Sequence, residues 1–285
     1  MSTVRLCGEE DRSNVIAYYA TEPEVNLFAL GDIEAFGMSY PVAIYAFERD
    51  DAESLSDAPH NAAPFDALLL KFYSNYMLYS KSTNYDVSAV AEFIRQDCGG
   101  ELWGSILGRY TILRELAPFF PELDLRGMYM NRCDEVSQEA LSDAPDYISI
   151  RLLEPHEYEQ AMILLAHMEE YAGLLDSAQL REEAVARRLA EAEHGNFTYG
   201  AFDGEKLVAV SSTSAMNSTS AMLGSVGTAS AYRQQGIATA LVAATVQECF
   251  DRGKEFVCLF YDNPVAGNIY HQIGFNYVAR FGMLR

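Results

Sequence analysis

The sequence predicts an α/β fold of the α+β kind: a mixed sheet flanked by helices and built twice in tandem. Three observations predict it. The chain has 285 residues, 49% hydrophobic and 21% charged, enough to bury two cores of ordinary size. Its second half alternates strand-like and helix-like runs, with an antiparallel start and a strand–turn–helix in the middle. The sequence also starts over. Val4-Arg5-Leu6, acidic Glu9, Glu10 and Asp11 and a helical pattern return as Ile150-Arg151-Leu152, Glu154, Glu157 and another helical pattern, an offset of 146 residues.

Composition sets the boundaries. Residues 49–65 and 133–146 are rich in Asp, Ser, Ala or Glu with little apolar periodicity and read as exposed loops, so domains are expected over 1–140 and 147–285. In the first half the offset carries the strand-like 222–228 back to Tyr76–Ser82, and the helical run near Ile237 back to Val90–Arg95. In the second half a strand is expected at 148–153, then a helix over 155–171 with Pro155 at an early helical position, then a helix over 177–193. Strands at 197–202 and 206–214 are joined at Asp203-Gly204, a strong hairpin signal. A strand at 221–229, a helix over 235–252 stopped by Gly253, a strand at 255–261, a short helix at 265–272 and a strand at 275–284 complete the order.

Charge narrows the function. Asp and Glu number 41 against 20 Lys and Arg, a formal charge of −21. Nucleic acid and anionic membranes require positive surface, so neither is an expected partner. Residues 1–10 show no basic stretch leading into an apolar run, and no apolar segment approaches a membrane span, so a cytoplasmic protein is expected. Five widely spaced cysteines without a CxxC, and no His at ligand spacing, give neither a disulfide framework nor a metal site. Phosphate-loop, dinucleotide, zinc-protease and nucleophile-elbow motifs are absent.

Two segments carry chemistry. In the first, a strand through Ser225-Val226-Gly227-Thr228 runs into Arg233-Gln234-Gln235-Gly236-Ile237-Ala238, where a helix begins. Helix N-termini present unpaired N–H groups and partial positive charge to phosphate oxygens, Gly236 permits close approach, and Arg233 adds charge. Alone, R-x-x-G-x-A also fits a plain strand–helix turn. The second segment, Asn263-Pro-Val-Ala266-Gly-Asn268-Ile-Tyr270-His-Gln-Ile-Gly274-Phe275, follows the next strand. The two together, in this order and separation, resemble the GNAT superfamily of N-acetyltransferases over about residues 147–285.

The resemblance implies roles by position. Val226, Gly227 and Thr228 lie where the strand pairs with the pantetheine arm of acetyl-CoA. Arg233, Gln234, Gln235, Gly236, Ile237, Ala238 and Thr239 lie where the pyrophosphate is cradled, and Asn263 and Asn268 border the cofactor. Tyr270 matches the tyrosine that protonates the departing CoA thiolate; an ordinary phenol, of pKa about 10, carries that proton at neutral pH. Several relatives carry a glutamate on the strand before the loop. Here that strand offers Ser218, Thr219, Ser220, Met222 and Ser225 and no carboxylate. Glu169, Glu170 and Asp176 are the substitutes by topology, or solvated surface acids; His271 beside Tyr270 tunes it or is structural.

In the first half, the offset maps Arg233 to Val87, Gly236 to Val90 and Tyr270 to Asp124, and neither motif stands nearby. That half reads as a degenerate copy without a cofactor site, as in tandem members of the superfamily where the silent half shapes the acceptor pocket. Glu24–Glu34, with Asn26, Asp32 and Glu34, is the stretch expected to contact the acceptor, or else an ordinary helix and turn. The expectation is an acyltransferase moving acetyl from acetyl-CoA to a primary amine of a small molecule or peptide, without metal, as a monomer or homodimer. The alternative is a non-catalytic acyl-CoA-binding sensor or scaffold.

Overall fold

The computed structural model describes residues 2–49, 65–102, 104–168 and 171–285. The chain divides into two compact units, Met1–Met130 with Ala279–Arg285, and Asn131–Val278. Most of the expected loop at 49–65, with His60, lies outside the described residues.

The first unit runs β1 (Ser2–Leu6), a 3-10 turn at Glu9–Asp11, α1 (Arg12–Tyr19), α2 (Leu27–Phe36), β2 (Val42–Arg49), β3 (Ala67–Phe72), β4 (Asn75–Tyr79), α3 (Val87–Asp97), β5 (Ile106–Arg109), α4 (Tyr110–Leu116) and β6 (Leu125–Cys133). After the four-residue α5 (Gln138–Leu141), the second unit repeats that order as β7 (Ile148–Leu152), a 3-10 turn at Pro155–Glu157, α6 (Tyr158–Ala166), α7 (Ala178–Glu193), β8 (Thr198–Asp203), β9 (Lys206–Met216), β10 (Ser220–Thr228), α8 (Ile237–Asp251), β11 (Phe256–Tyr261), α9 (Pro264–Ile273) and β12 (Asn276–Leu284). β1 to β4 pair antiparallel in sequence and β4 pairs β5 parallel. β7 to β10 and the parallel β10–β11 pair repeat this arrangement. The tandem fold is therefore present in topology as well as in pattern.

Repetition is exact in number at the start and drifts afterwards. β1, the first 3-10 turn and the start of α1 reappear 146 residues later as β7, the second turn and the start of α6. α3 begins at Val87 and α8 at Ile237, an offset of 150. The N-caps of α4 and α9, Arg109 and Asn263, differ by 154. Loop insertions accumulate along the copy, so a single offset misplaces the later counterparts.

The helices follow from burial on both faces of each sheet. Along β9, Ala209 packs with Ile237 and Leu241 of α8, while Val210 packs with Ala161 and Leu165 of α6, the alternation of a strand covered on both sides. α8 and α9 add Val242, Val246 and Ile273 to a core with Val257 and Phe275. In the first unit α3 and α4 bury Val90, Ile94, Ile112 and Leu116 against Leu69 and Leu78.

Four local expectations are corrected. The helix expected over 155–171 is a 3-10 turn followed by α6, which ends at Ala166; beyond it the main chain tightens to His167 N–Leu164 O and Met168 N–Leu165 O bonds, and the ring Nδ1–H of His167 donates to the Ile163 carbonyl at 2.7 Å. The hairpin turn is Gly204-Glu205 rather than Asp203-Gly204: Asp203 still pairs with Lys206, and Gly204 takes the positive φ of 60° at the first central position. The stretch 133–146 is not an exposed linker, since Val136 and Ala140 are buried in the core beneath α8. The junction expected at 140–147 lies inside the second unit, and Ala279–Arg285 belongs to the first. There Phe281–Leu284 pairs antiparallel with Ile106–Arg109, burying Phe281 and Leu284, while Asn131–Cys133 of β6 belongs to the second unit.

Candidate functional site

The site begins where two parallel strands stop pairing. β10 and β11 pair through Ser220–Phe256, Ala221–Val257 and Met222–Cys258, and both strands then run on, to Thr228 and Tyr261. At the same point β10 shifts register against β9, between Met222 and Leu223 and again before Val226. Such bulges bend and twist a strand away from its neighbour. A cavity of about 620 Å³ opens there, lined by Val226, Gly227 and Thr228 on the β10 side and by α9 on the other.

At one end of the cavity stands the loop into α8. Gln234 and Gly236 both adopt left-handed backbone, at φ 61° and 76°. For glutamine that conformation is costly, and such outliers concentrate at functional sites. Gly236 is the N-cap of α8 and supplies no side-chain cap, and the first-turn residues Ile237, Ala238 and Thr239 line the cavity. Asp86 caps α3, Ser177 caps α7 and Asn263 caps α9, whereas α1, α2, α4, α5 and α6 share with α8 the lack of a side-chain cap. A Cβ at position 236 would also collide with the main-chain carbonyl of Asp143. Arg233 is anchored by Nε donating to the Thr228 carbonyl at 3.1 Å, which ties the loop to the end of β10.

At the other end lies Tyr270, 8% exposed and packed against Tyr261 and Phe275 at ring separations of 5.6 and 5.9 Å. Asn263 lines the cavity and also caps α9, its Oδ1 accepting from Val265 N at 2.9 Å. Asn268 is an exposed lining residue. His271 is exposed, and its Nδ1–H donates to the Phe275 carbonyl at 2.9 Å, which holds the turn that follows α9.

Of the thirteen residues to which the resemblance gives a cofactor-binding or catalytic role, the cavity lining holds all but Gln235. That side chain is held outside by Tyr147, whose hydroxyl donates to Oε1 at 2.5 Å, while Nε2 donates to the Ala231 carbonyl at 3.2 Å. The cavity adds residues without a sequence signal: Asp143, from the stretch after α5, and Met168, whose thioether lies where a Cβ on Gly227 would stand. Of the substitute acids, Asp176 is exposed and accepts from Gly173 N at 3.0 Å, a turn contact outside the cavity. Glu169 and Glu170 lie outside the described residues. On β10, Ser225 Oγ accepts from Nη2 of Arg188 at 2.8 Å; the same guanidinium holds the Thr213 carbonyl and Glu191.

The corresponding place in the first unit is filled. The α3 N-terminus already holds a carboxylate, Asp86, which accepts from Ala89 N at 3.1 Å. A second anion there would meet a negative charge and a bonded N–H. Arg109, at the N-cap of α4, is ion-paired with Glu22, and Tyr79 at the end of β4 donates to the same carboxylate at 2.9 Å. Counted from the helix N-caps, the counterparts of Gly236 and Tyr270 are Asp86 and the fully buried Leu116, not the Val90 and Asp124 of the fixed offset. Asn26 is buried and donates to the Tyr19 and Glu22 carbonyls at 3.0 and 3.1 Å, closing the turn before α2. Burial pushes the Asp32 carboxyl up to about 7. Glu34 is exposed.

Residues 150–278 match the family described as an acetyltransferase (GNAT) domain. They are a GNAT domain. Solved structures of the same fold extend over the whole chain. A tandem GNAT protein from the clavulanic acid biosynthesis pathway superposes with a TM-score of 0.58 at 11% identity, covering 100% of this chain and 98% of its own. A GNAT protein from Sphaerobacter thermophilus gives 0.62 at 14% identity, with coverages of 99% and 94%. A GNAT-like protein from Streptococcus suis gives 0.55 at 14%, with 97% and 99%. No curated protein matches in sequence. The family match supports an acyltransferase class for residues 150–278. No helix among the described residues is long and apolar enough to cross a membrane.

Proposed function

We propose that the GNAT domain transfers an acetyl group from acetyl-CoA directly to a primary amine of a small molecule or peptide. The observation that carries this reading is one cavity, beside the stretch of β10 beyond its last pair with β11, whose lining holds both an uncapped helix N-terminus and a buried tyrosine. The α8 N–H groups and Arg233 would take the pyrophosphate, and Gly236 leaves room for it. The main chain of Val226 and Thr228, beyond the last β10–β11 pair, would take the amides of the pantetheine arm.

In this reading the neutral amine attacks the thioester carbonyl, a C–N bond forms, and the C–S bond breaks. The leaving thiolate takes the proton of the Tyr270 hydroxyl, and the amine gives its surplus proton to water. Alignment of amine and carbonyl supplies most of the rate. β10 carries no carboxylate to hold that surplus proton, which favours acceptors whose amine is already neutral near the working pH. The same absence supports a second reading, an acyl-CoA-binding protein without turnover.

Calorimetric titration with acetyl-CoA tests the first step, and acetylation of a panel of small amines and peptides tests the second. One site per chain with product from any acceptor supports the transferase. One site with no product across the panel supports the binding protein, and no binding ends both readings. Two sites would contradict the filled slot of the first unit.

A further inference from the structure

The lining of the cavity beside β10 carries two charged side chains, Arg233 and Asp143. Their formal charges cancel. A site read as the seat of a pyrophosphate therefore brings to it one guanidinium, whose Nε is already committed to the Thr228 carbonyl, and one carboxylate. The cation has an evident use there. The acyl transfer described above gives the carboxylate none.

The carboxylate stands close to the loop. A Cβ on Gly236, the N-cap of α8, would lie 2.7 Å from Asp143 Oδ2 and 2.8 Å from its Cγ, so this group rests against the residue that opens the helix. It is exposed, and among the described residues it makes neither a hydrogen bond nor an ion pair. Its segment is nonetheless held on both sides. Before it, Val136 and Ala140 are buried in the core beneath α8; after it, the Tyr147 hydroxyl donates to Gln235 of the same loop. The first unit offers the contrast. There Asp86 is itself the N-cap of α3, and its Oδ1 accepts from Ala89 N at 3.1 Å, a cap built into the helix. At α8 the carboxylate comes from a separate segment and is unbonded, so a turn of its own side chain is enough to withdraw it.

We propose that Asp143 is a displaceable negative charge at the α8 N-terminus, an internal competitor that lowers the affinity of the donor and favours departure of the product CoA. The proposal rests on the acyl-CoA reading of this cavity. The partial positive charge of a helix N-terminus attracts a carboxylate beside it, and a phosphate oxygen arriving at the same N–H groups takes its place. Donor binding must then offset both the attraction that Asp143 loses and the repulsion between two anions held a few ångströms apart. Acetyl-CoA and CoA carry the same pyrophosphate, so both are weakened alike. For the product, the weakening shortens residence and clears the site for the next donor.

The test is calorimetric titration of CoA into the full chain and its Asp143→Asn and Asp143→Glu variants, at about 0.05 M and about 0.5 M salt. Asp143→Asn keeps the shape and removes the charge, and should tighten CoA binding about three- to tenfold at low salt. Asp143→Glu keeps the charge and should show no such gain. At high salt the gain of Asp143→Asn should fall to less than half, because an exposed charge is screened. A smaller gain at low salt, or none, overturns the competitor and leaves the acyl-CoA reading standing. Weaker binding by Asp143→Asn shows that the carboxylate assists the donor, directly or through a bound cation, and also overturns it. So does a gain that salt leaves unchanged or that Asp143→Glu shares, since either is an effect of packing rather than of charge. Failure of all three proteins to bind CoA removes the acyl-CoA reading itself, and the competitor with it.

Discussion

Arg151 grips Glu157 through two parallel bonds, Nη1 to Oε2 at 2.7 Å and Nη2 to Oε1 at 2.6 Å, while the N–H of Glu154 reaches Oε2 at 2.8 Å. Arg5 grips Asp11 in the same way at 2.7 and 2.9 Å, with the N–H of Gly8 at 3.0 Å. In each unit the pair ties the first strand to the turn that opens the first helix. The repeated arginine and acids of the sequence are thus the two ends of one device, made twice.

This device sets an acid dependence. The hydrogen bonds from Arg151, against some desolvation, hold the Glu157 carboxyl down at about 2. A depressed carboxylate stabilises the fold above its unfolded pKa of about 4.3, and that contribution is lost as pH falls from there through about 2. Glu157→Gln should lower the melting temperature by roughly 2–4 °C at pH 7. The difference should close by pH 2, which melting curves of both proteins across pH 2–7 will show.

Asp32 has the opposite sign. Burial raises its carboxyl to about 7, so between the unfolded value near 3.9 and about 7 the folded state holds more protons than the unfolded one. Stability then falls as pH rises through that window. Asp32→Asn should melt about 5 °C higher at pH 8 and no higher at pH 4; parallel pH profiles for the two proteins would contradict the assignment.

Gly236→Ala should weaken CoA binding by about a hundredfold or more. The new Cβ enters left-handed backbone and meets the Asp143 carbonyl, so the loop must move away from the geometry that aims its N–H groups. Titration with CoA measures the loss. Affinity within threefold of the unmodified protein would show that the α8 N-terminus is not the phosphate site.

Tyr270→Phe should lower kcat by about 10²–10⁴ while leaving the Kd for CoA within threefold, because the hydroxyl enters only as the thiolate departs. Steady-state rates with any productive acceptor, set beside the titration, separate the two effects. Turnover at the unmodified rate would end the acid role.

Removal of residues 279–285 should loosen the first unit more than the second. The deletion takes the strand partner from Ile106–Arg109 and Leu284 from the core that holds Leu78 and Ile112. Hydrogen exchange should rise over β4 and β5 and stay low over β8 and β9.

What the sequence discloses and what it hides divide along the range of the interaction. Arg233–Ala238 and Asn263–Gly274 are legible because a turn, a cap and the close approach of phosphate are settled by residues a few places apart. The hairpin at Gly204 is legible for the same reason, and its one-place slip marks how finely such a signal resolves. The Gln235 side chain is turned aside by Tyr147, 88 residues away, and the first unit's slot is filled by Glu22 and Arg109, 87 residues apart. No local pattern announces either. β12 reads as a strand whichever neighbour it takes, so its return to the first unit is invisible in periodicity.

That return has a consequence for synthesis. A ribosome delivers residues 1–130 first, and a domain made early ordinarily closes while the rest is still being translated. Here β5 waits for Phe281–Leu284, which emerge only after the whole of 131–278. The half that is born first is therefore the half completed last. During elongation β5 is an unsatisfied strand edge that a nascent-chain chaperone would find exposed.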